Sequence, residues 1–281
     1  MMIFNKLTAA LLLAGSFAFV ACDRIEEGNR LKPMNDPEPE NPTQSQHTVL
    51  LEDYTGQECS NCPVFASRLH KALEGDLKSH AGRVVTVAIH SHLLPHKGSD
   101  FPTADGEAYA RWLGLDAVPK AVIDRTGENG LVSATGDITE TIERLKKALA
   151  QPAQMDLFAK ASFNADRTAV SVSVVAVGAK KEDAKQYNVQ LWLLENDIKA
   201  FQEYPGGKHK EDHEHDHVLR AALNGTWGEP IQLGGKYLHT SNLPQTVLET
   251  AKQNPDNLRV VAFVYDAQTK SVIETIEVGI K

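Results

Sequence analysis

The fold of this chain is decided by the stretch Cys59-Ser60-Asn61-Cys62-Pro63, which lies between a strand-like run at residues 47–53 and a helix-like run at residues 63–79. Two cysteines separated by two residues at a strand-to-helix junction indicate a thiol/disulfide redox pair. The helix N-terminus presents unpaired backbone N–H groups and the positive end of the helix dipole, which favour the reactive thiolate of Cys59. Pro63 suits this position, because a proline in the first helical turn removes no intrahelical hydrogen bond.

A structural disulfide and a zinc site are the alternatives for Cys59 and Cys62. A bridge that closes so short a loop constrains the unfolded chain little, so stability is a weak reason for it. A tetrahedral zinc site needs four ligands, and the sequence contains only one further cysteine, Cys22. We therefore favour the redox pair and keep the structural bridge as the open alternative.

Residues 1–21 have the pattern of an export signal. Lys6 is followed by an apolar run that is too short for a comfortable membrane span, and Ala21-Cys22 resembles the cleavage step of a bacterial lipoprotein signal. This resemblance implies cleavage before Cys22 and a lipid such as palmitate on that cysteine, with ordinary secretion as the alternative. Outside the cytoplasm, Cys59 and Cys62 can persist as a disulfide.

Residues 22–46 are rich in Pro, Glu, Asn and Gln, with prolines spaced so that neither a helix nor a strand can run through them. This composition predicts a flexible, acidic tether between a membrane anchor and the folded part. The formal net charge of the chain is -8. Such an acidic chain lacks the basic face that phosphate binding requires, so we expect no nucleic-acid partner.

Residues 47–151 show the order of a thioredoxin-like α/β domain, in which helices cover both faces of a central sheet. The patterns predict strands at 47–53, 83–89 and 120–124, a turn at 127–130, and helices at 62–79, 105–113 and 138–149. Residues 152–281 contain five further strand-like runs, at 157–163, 168–177, 188–194, 258–265 and 271–278. Several alternate between apolar and polar residues, which favours an antiparallel, immunoglobulin-like β-sandwich as a second domain.

Two more residues resemble elements of the thioredoxin superfamily. Pro119, in Ala117-Val118-Pro119, resembles the cis-proline that faces the active disulfide, which implies that its backbone docks a peptide substrate. Asp53 lies six residues before Cys59, the offset at which thioredoxins carry a buried acid. A desolvated carboxyl group there would have a raised pKa and could exchange a proton with Cys62. The alternative for Asp53 is a solvated residue at a strand end.

A second candidate site is a histidine tract. His209, His213, His215 and His217 place four of the 11 histidines within nine residues, interleaved with acidic residues. Imidazoles bind zinc, nickel or copper, so His213, His215 and His217 are candidate ligands for a weakly held Zn or Ni ion, and no other cofactor is expected. The alternative is a solvated loop. His90, His92 and His96 form a further small group in the loop after the second predicted strand.

Three segments together resemble the twenty-eight-kilodalton outer-membrane lipoprotein family of Bacteroidetes. They are Leu51-Glu52-Asp53-Tyr54-Thr55-Gly56, Cys59-Ser60-Asn61-Cys62-Pro63, and His215-Asp216-His217-Val218-Leu219-Arg220-Ala221-Ala222-Leu223-Asn224-Gly225-Thr226-Trp227-Gly228-Glu229. The resemblance implies a thioredoxin-like domain joined to a β-rich domain on an outer-membrane lipid anchor, facing either the periplasm or the cell surface. It also implies that His215, His217 and Arg220 belong to a family motif.

Three functional hypotheses follow. The first is a thiol-disulfide oxidoreductase that acts on exported protein thiols or disulfides, with Cys59, Cys62, Asp53 and Pro119 as its site. The second is a surface adhesin or binding lipoprotein with a surface ligand, in which the thioredoxin-like domain is a non-catalytic scaffold. The third is a lipoprotein that collects metal through its histidine tract.

Overall fold

A computed structural model describes residues 46–127, 131–178 and 185–281. The predicted signal peptide, Cys22 and nearly all of the predicted tether lie outside these residues, as does most of the predicted turn at 127–130. The helices are α1 (Cys62–Glu74), α2 (Ala104–Trp112), α3 (Ile138–Leu149) and α4 (Leu248–Gln253). Within the described ranges, no helix is long and apolar enough to cross a membrane.

The strands occur mainly in the second half of the chain. They are β1 (Val49–Thr55), β2 (Val84–His90), β3 (Lys120–Ile123), β4 (Met155–Phe163), β5 (Ala169–Gly178), β6 (Tyr187–Glu195), β7 (Ile198–Tyr204), β8 (Lys208–His215), β9 (Val218–Ala222), β10 (Glu229–Ile231), β11 (Lys236–Asn242), β12 (Leu258–Asp266) and β13 (Val272–Gly279). The strands predicted in the sequence are confirmed to within a few residues, whereas β7 to β11 were not predicted.

Strand β1 organises the N-terminal half, because it pairs with β2 in parallel and with β3 in antiparallel orientation. Alternate residues of β1 point to opposite faces of the sheet. Leu50 belongs to the core that includes Tyr109 of α2, and Leu51 belongs to the core that includes Leu69 of α1 and Leu145 of α3. Helices therefore cover both faces of this part of the sheet, as predicted.

The sheet continues into the second half of the chain, in the order β13-β12-β6-β9-β2-β1-β3. Strand β9 joins the two halves, since it pairs in parallel with β2 and antiparallel with β6. The predicted thioredoxin-like plus immunoglobulin-like arrangement is not confirmed, and the coarser class is a mixed α/β fold with several sheets. Strands β6 and β12 are buried along nearly their whole length, as expected for central strands of a sheet covered on both faces.

Strands β4, β5 and β11 form a separate three-stranded sheet. Its inward residues Val172 and Val174 share a core with Leu191 of β6 and Val260 of β12. The opposite face of β6, which carries Trp192, belongs to the core beneath α2. The predicted boundary between residues 151 and 152 stays a prediction, although the sheet and one hydrophobic core cross it.

A buried arginine lies in the core that both halves build. The Nε atom of Arg125 donates a 2.6 Å hydrogen bond to Glu52, and both side chains are almost completely buried. The guanidinium lies within 6.0 Å of the ring centroids of five aromatic residues, which are Tyr109, Trp112, Trp192, Phe263 and Tyr265. Rings at these distances stabilise a cation, so they compensate in part for its burial.

Candidate redox site

The disulfide between Cys59 and Cys62 lies where the chain passes from β1 into α1. Cys62 is the first residue of α1, and its backbone N–H lies 3.1 Å from the Cys59 sulfur. Pro63 occupies the first helical turn, as predicted. On reduction, the free N–H groups and the helix dipole would stabilise a thiolate at Cys59.

The loop that enters this disulfide is held closely against the loop after β2. Gly56 is required there, because a Cβ atom would lie 2.6 Å from the Leu93 carbonyl oxygen. The Glu58 backbone N–H donates a 2.9 Å hydrogen bond to the Leu94 carbonyl. The Glu58 carboxylate lies 3.3 Å from His96 Nδ1. The Glu58 carboxylate therefore has a histidine of the loop after β2 as its neighbour.

Pro119 lies beside the disulfide. The Val118–Pro119 peptide bond is cis, which confirms the conformation predicted from the sequence. The Val118 carbonyl oxygen lies 3.6 Å from the Cys59 sulfur, so backbone of this segment directly contacts the disulfide. Docking of a peptide on Pro119 stays a prediction.

Asp53 is buried, with 7% of its surface exposed, rather than a solvated strand-end residue. It lies on the same face of β1 as Leu51, the face that α1 and α3 cover, and α1 begins at Cys62. Burial raises the pKa of the Asp53 carboxyl from 3.8 to about 7. Its Oδ1 atom has no hydrogen-bond partner among the described residues. Asp53 can therefore be either protonated or ionised near neutral pH, while its action on Cys62 stays a prediction.

The hairpin formed by β7 and β8 packs on the cysteine loop. The Glu203 backbone N–H donates to the Gln57 carbonyl at 2.8 Å, and the Gln57 side chain donates to the Phe201 carbonyl at 3.1 Å. The Gln202 side-chain amide donates to the Cys59 carbonyl at 3.1 Å. Cys59 and Cys62 are only 2% and 3% exposed.

Sequence reasoning missed Phe201 and Gln202, although a signal existed. Residues 198–204 contain β-branched and aromatic residues, and Gly206-Gly207 supplies a turn before the polar run that follows. Both glycines have positive φ angles, as tight hairpin turns require. The pattern therefore predicts a hairpin, but nothing in it indicates that the hairpin packs on the cysteines.

The histidine tract forms strand β8 and its continuation, not a loop. The rings of His213 and His215 are 4.6 Å apart, and His215 also lies edge-on against Phe101 and His90. Burial lowers the pKa of His215 to about 4 and that of His90 to about 3, so both are neutral. His217 follows the strand with a positive φ angle. Across the described ranges, no three His, Cys, Asp or Glu side chains are grouped so that they could hold a metal ion.

The second histidine group is divided between different contacts. His90 is buried, His92 pairs with Glu107 of α2 at 2.7 Å, and His96 stacks on Phe201 with ring centroids 4.1 Å apart. Arg220, from the predicted family motif, is buried and lies 2.6 Å from Asp100 and 3.2 Å from Glu195. Of these residues, His96 therefore has the closest connection to the disulfide loop, through Glu58 and Phe201.

The described residues define a mixed α/β protein in which a disulfide at a helix N-terminus contacts a cis X-Pro peptide. The chain belongs to the Omp28 family of outer membrane proteins, whose family profile matches residues 106–281. This confirms the family predicted from the sequence motifs, and the outer membrane as the location of the family. The matched region begins after Cys62, so the match carries no information about the cysteine pair.

The solved structures that are similar to the chain include the following three. HBP35 of Porphyromonas gingivalis is 17% identical, with 85% of this chain and 77% of that chain covered and a TM-score of 0.63. A domain of the outer membrane lipoprotein Omp28 from Porphyromonas gingivalis is 29% identical over 46% of this chain and 89% of that chain, with a TM-score of 0.34. A structural-genomics protein of Agrobacterium tumefaciens is 16% identical over 84% of this chain and 95% of that chain, with a TM-score of 0.51. No curated protein matches the sequence.

Proposed function

We propose that this outer membrane protein exchanges thiols and disulfides with exported proteins through Cys59 and Cys62. The observation that carries the proposal is the 3.6 Å contact between the Cys59 sulfur and the carbonyl oxygen that precedes the cis Val118–Pro119 bond. A substrate peptide aligned on that backbone segment would bring its own sulfur beside Cys59. The helix N-terminus at Cys62 supplies the electrostatic setting that thiol chemistry requires.

The reaction from the disulfide form begins when a substrate thiolate attacks the Cys59 sulfur. A mixed disulfide forms with Cys59, the Cys59–Cys62 bond breaks, and Cys62 leaves as a thiolate. Protonated Asp53, whose pKa lies near 7, is the proposed proton donor to that thiolate. A second substrate thiolate then releases Cys59 and completes the substrate disulfide. In reverse, Cys59 attacks a substrate disulfide, Asp53 takes the proton of Cys62, and Cys62 resolves the mixed disulfide.

Residues 47–151 are proposed to form a thioredoxin-like domain, and residues 152–281 the second, β-rich domain. The strand and helix order around β1, the helices on both faces of the sheet and the cis-proline support the first assignment. The proposed anchor is a lipid on Cys22 after removal of residues 1–21. The periplasmic and the cell-surface orientation are both compatible with this anchor.

The Cys62→Ala variant tests the exchange activity. We expect Cys59 to form mixed disulfides with exported proteins that persist on non-reducing gels, because no resolving thiol remains. The matched control is the Cys59→Ala, Cys62→Ala double variant, which retains neither sulfur. Absence of trapped species, together with no reduction of insulin disulfides by the wild type, would exclude the proposed function.

A binding lipoprotein with a structural disulfide is the second candidate function. The observation that favours it is the burial of both cysteines, since a structural bridge needs no access for a partner. In that case the double variant Cys59→Ser, Cys62→Ser would keep ligand binding and lose only stability.

Metal collection by His213, His215 and His217 stays a prediction. Calorimetric titration of the wild type and of a variant without these histidines with Zn or Ni tests this prediction. Identical heats of binding would exclude it.

A further inference from the structure

Because Cys59 and Cys62 are buried, a partner protein can reach their sulfurs only if a neighbouring segment moves aside. Strand β7 contacts α1, and the β7–β8 hairpin binds the loop of residues 56–59 through hydrogen bonds from both sides. Gln202 is the central contact. Its side chain is buried, and its amide nitrogen lies 3.3 Å from the Gly56 carbonyl and 3.1 Å from the Cys59 carbonyl. One side chain of the hairpin therefore holds two points of the cysteine loop.

The hairpin is attached to the rest of the protein differently from the other strands. Among the strands that the structure describes, β7 and β8 pair only with each other, as a two-stranded sheet separate from the two larger sheets. Residues 208–212 of β8 are exposed, as are Gly206 and Gly207 at the tip. A two-stranded hairpin is marginally stable by itself, so its position depends on the contacts that it makes with its neighbours. Segments held in this way open locally without unfolding of the core.

An aromatic stack adds a second attachment. His96, from the loop after β2, lies between Glu58 and Phe201, with its ring 4.1 Å from the Phe201 ring. His209 of β8 stacks on Phe201 from the hairpin itself, with ring centroids 5.4 Å apart. The hairpin is thus attached to the cysteine loop by Gln202, by backbone and side-chain hydrogen bonds with Gln57 and by this stack. His215, at the other end of β8, packs on Phe101 and His90. Only the contacts at the cysteine loop need to break to free the loop.

We propose that the β7–β8 hairpin is a detachable cover of the Cys59–Cys62 disulfide, and that Gln202 is the positioning residue that keeps it closed. This inference rests on the proposed thiol/disulfide exchange, because it concerns access to the same sulfurs. Detachment exposes the loop of residues 56–59 and the Cys59 sulfur while the central sheet stays folded.

The test measures how fast a small phosphine reductant, tris(2-carboxyethyl)phosphine, reduces the disulfide in the folded protein, with the released thiols counted by alkylation. The variants are Gln202→Ala and Gln202→Glu, which remove the amide donor. The matched control is Gln190→Ala, because Gln190 is also a fully buried glutamine whose amide donates to a backbone carbonyl, that of Gly225, at 2.9 Å. Gln190 lies in β6, in the main sheet.

We expect reduction to be about tenfold faster or more in both Gln202 variants, and to stay within about twofold of wild type in Gln190→Ala. Equal rates in wild type and Gln202→Ala would overturn the proposal. An equal acceleration by Gln190→Ala would also overturn it, since global destabilisation would then explain the effect. If the Gln202 variants do not fold, hydrogen exchange of the wild type tests the proposal instead. The Glu203 amide should then exchange faster than the amides of β12. Equal protection of these amides would overturn the proposal that the hairpin is a detachable cover.

Failure of the cover and failure of the proposed function give different results. The phosphine reports access to the sulfurs and requires no protein substrate. Accelerated reduction in Gln202→Ala, without mixed disulfides in Cys62→Ala, would keep the cover and exclude the exchange function. Mixed disulfides in Cys62→Ala, with reduction that does not respond to Gln202, would keep the function and exclude the cover.

Discussion

Gln202 and Cys59 are 143 residues apart in the sequence, and the side chain of the first donates a 3.1 Å hydrogen bond to the carbonyl of the second. The cysteine pair comes from the first half of the chain and its covering hairpin from the second half. The candidate redox site is therefore built by both halves, as is the core that contains Tyr109 and Trp192, whose side chains are hydrogen-bonded at 2.9 Å.

A fragment of residues 47–151 is expected not to fold cooperatively. Without β9, the edge of β2 is unpaired, and Leu50 and Tyr109 lose the neighbours that Trp192 and Phe263 provide. Exposed apolar area of this kind costs about 25 cal/mol per Å². Thermal unfolding followed by circular dichroism, with residues 47–281 as the control, checks this. A sharp transition of the isolated fragment would show that the domain is independent.

The buried pair of Arg125 and Glu52 predicts a second stability effect. Arg125→Met should lower the free energy of unfolding by roughly 3–5 kcal/mol, because it leaves the Glu52 carboxylate buried without its cation. The double variant Glu52→Gln, Arg125→Met should recover part of this loss, since neither charge is then buried. Denaturant unfolding of Arg125→Met, of the single variant Glu52→Gln and of the double variant measures the coupling. Additive losses in the double variant would show that the two side chains do not act as a pair.

The sequence predicts elements whose signals are local. Helix α3 begins and ends where its pattern indicates, and Asp137 caps it through hydrogen bonds to the Thr139 and Glu140 amides. Such a helix depends on a short stretch of chain, so one sequence is sufficient to find it. The cis bond before Pro119 and the burial of Asp53 were implied instead by the resemblance to the thioredoxin superfamily, with a solvated Asp53 as the alternative.

Sheet membership could not be predicted in the same way. The apolar residues of β6 and β12 show that both strands are buried, but they do not identify the neighbours of these strands. Strand β9 joins the two halves through one register pair with β2, Ala88 opposite Val218. Alternation along a strand shows which residues share a face, and it contains no information about which strand lies beside it. A separate sandwich and a continuous sheet are therefore equally compatible with the sequence.

His47 predicts a loss of stability at alkaline pH. Its ring lies 2.8 Å from Asp124 and 3.2 Å from Glu274, and all three side chains are buried. Burial alone would lower the pKa of His47, but the hydrogen bonds and charges of the two carboxylates raise it to about 9. Because the folded pKa exceeds the unfolded one, the stabilisation is complete below about pH 6.5 and is lost as the pH rises through 9.

His47→Gln should remove this dependence and lower the free energy of unfolding by up to about 3 kcal/mol at neutral pH. Denaturant unfolding across the alkaline range measures it. His70→Gln is the matched control, because His70 is exposed and pairs with Glu74 on the same helix. A wild type whose stability is constant between neutral pH and about pH 10 would contradict the prediction.

Asp53→Asn is expected to raise the stability of the protein and to slow the exchange reaction. The folded pKa of Asp53, about 7, lies above the unfolded value of 3.8. The contribution of Asp53 to the free energy of unfolding is therefore complete below pH 3.8 and is lost as the pH rises through 7. The asparagine side chain carries no charge at any pH, so this variant should be more stable than wild type by roughly 2–4 kcal/mol at about pH 8.

The same variant should slow the exchange reaction, because Cys62 would leave as a thiolate without a nearby proton donor. In the wild type the rate of exchange should depend on a group that titrates near pH 7, and Asp53→Asn should remove this dependence. Asp76→Asn, at an exposed carboxylate beside Lys146, is the control and should leave stability and rate unchanged. Higher stability with an unaltered pH profile of the rate would show that Asp53 is buried but takes no part in proton transfer to Cys62.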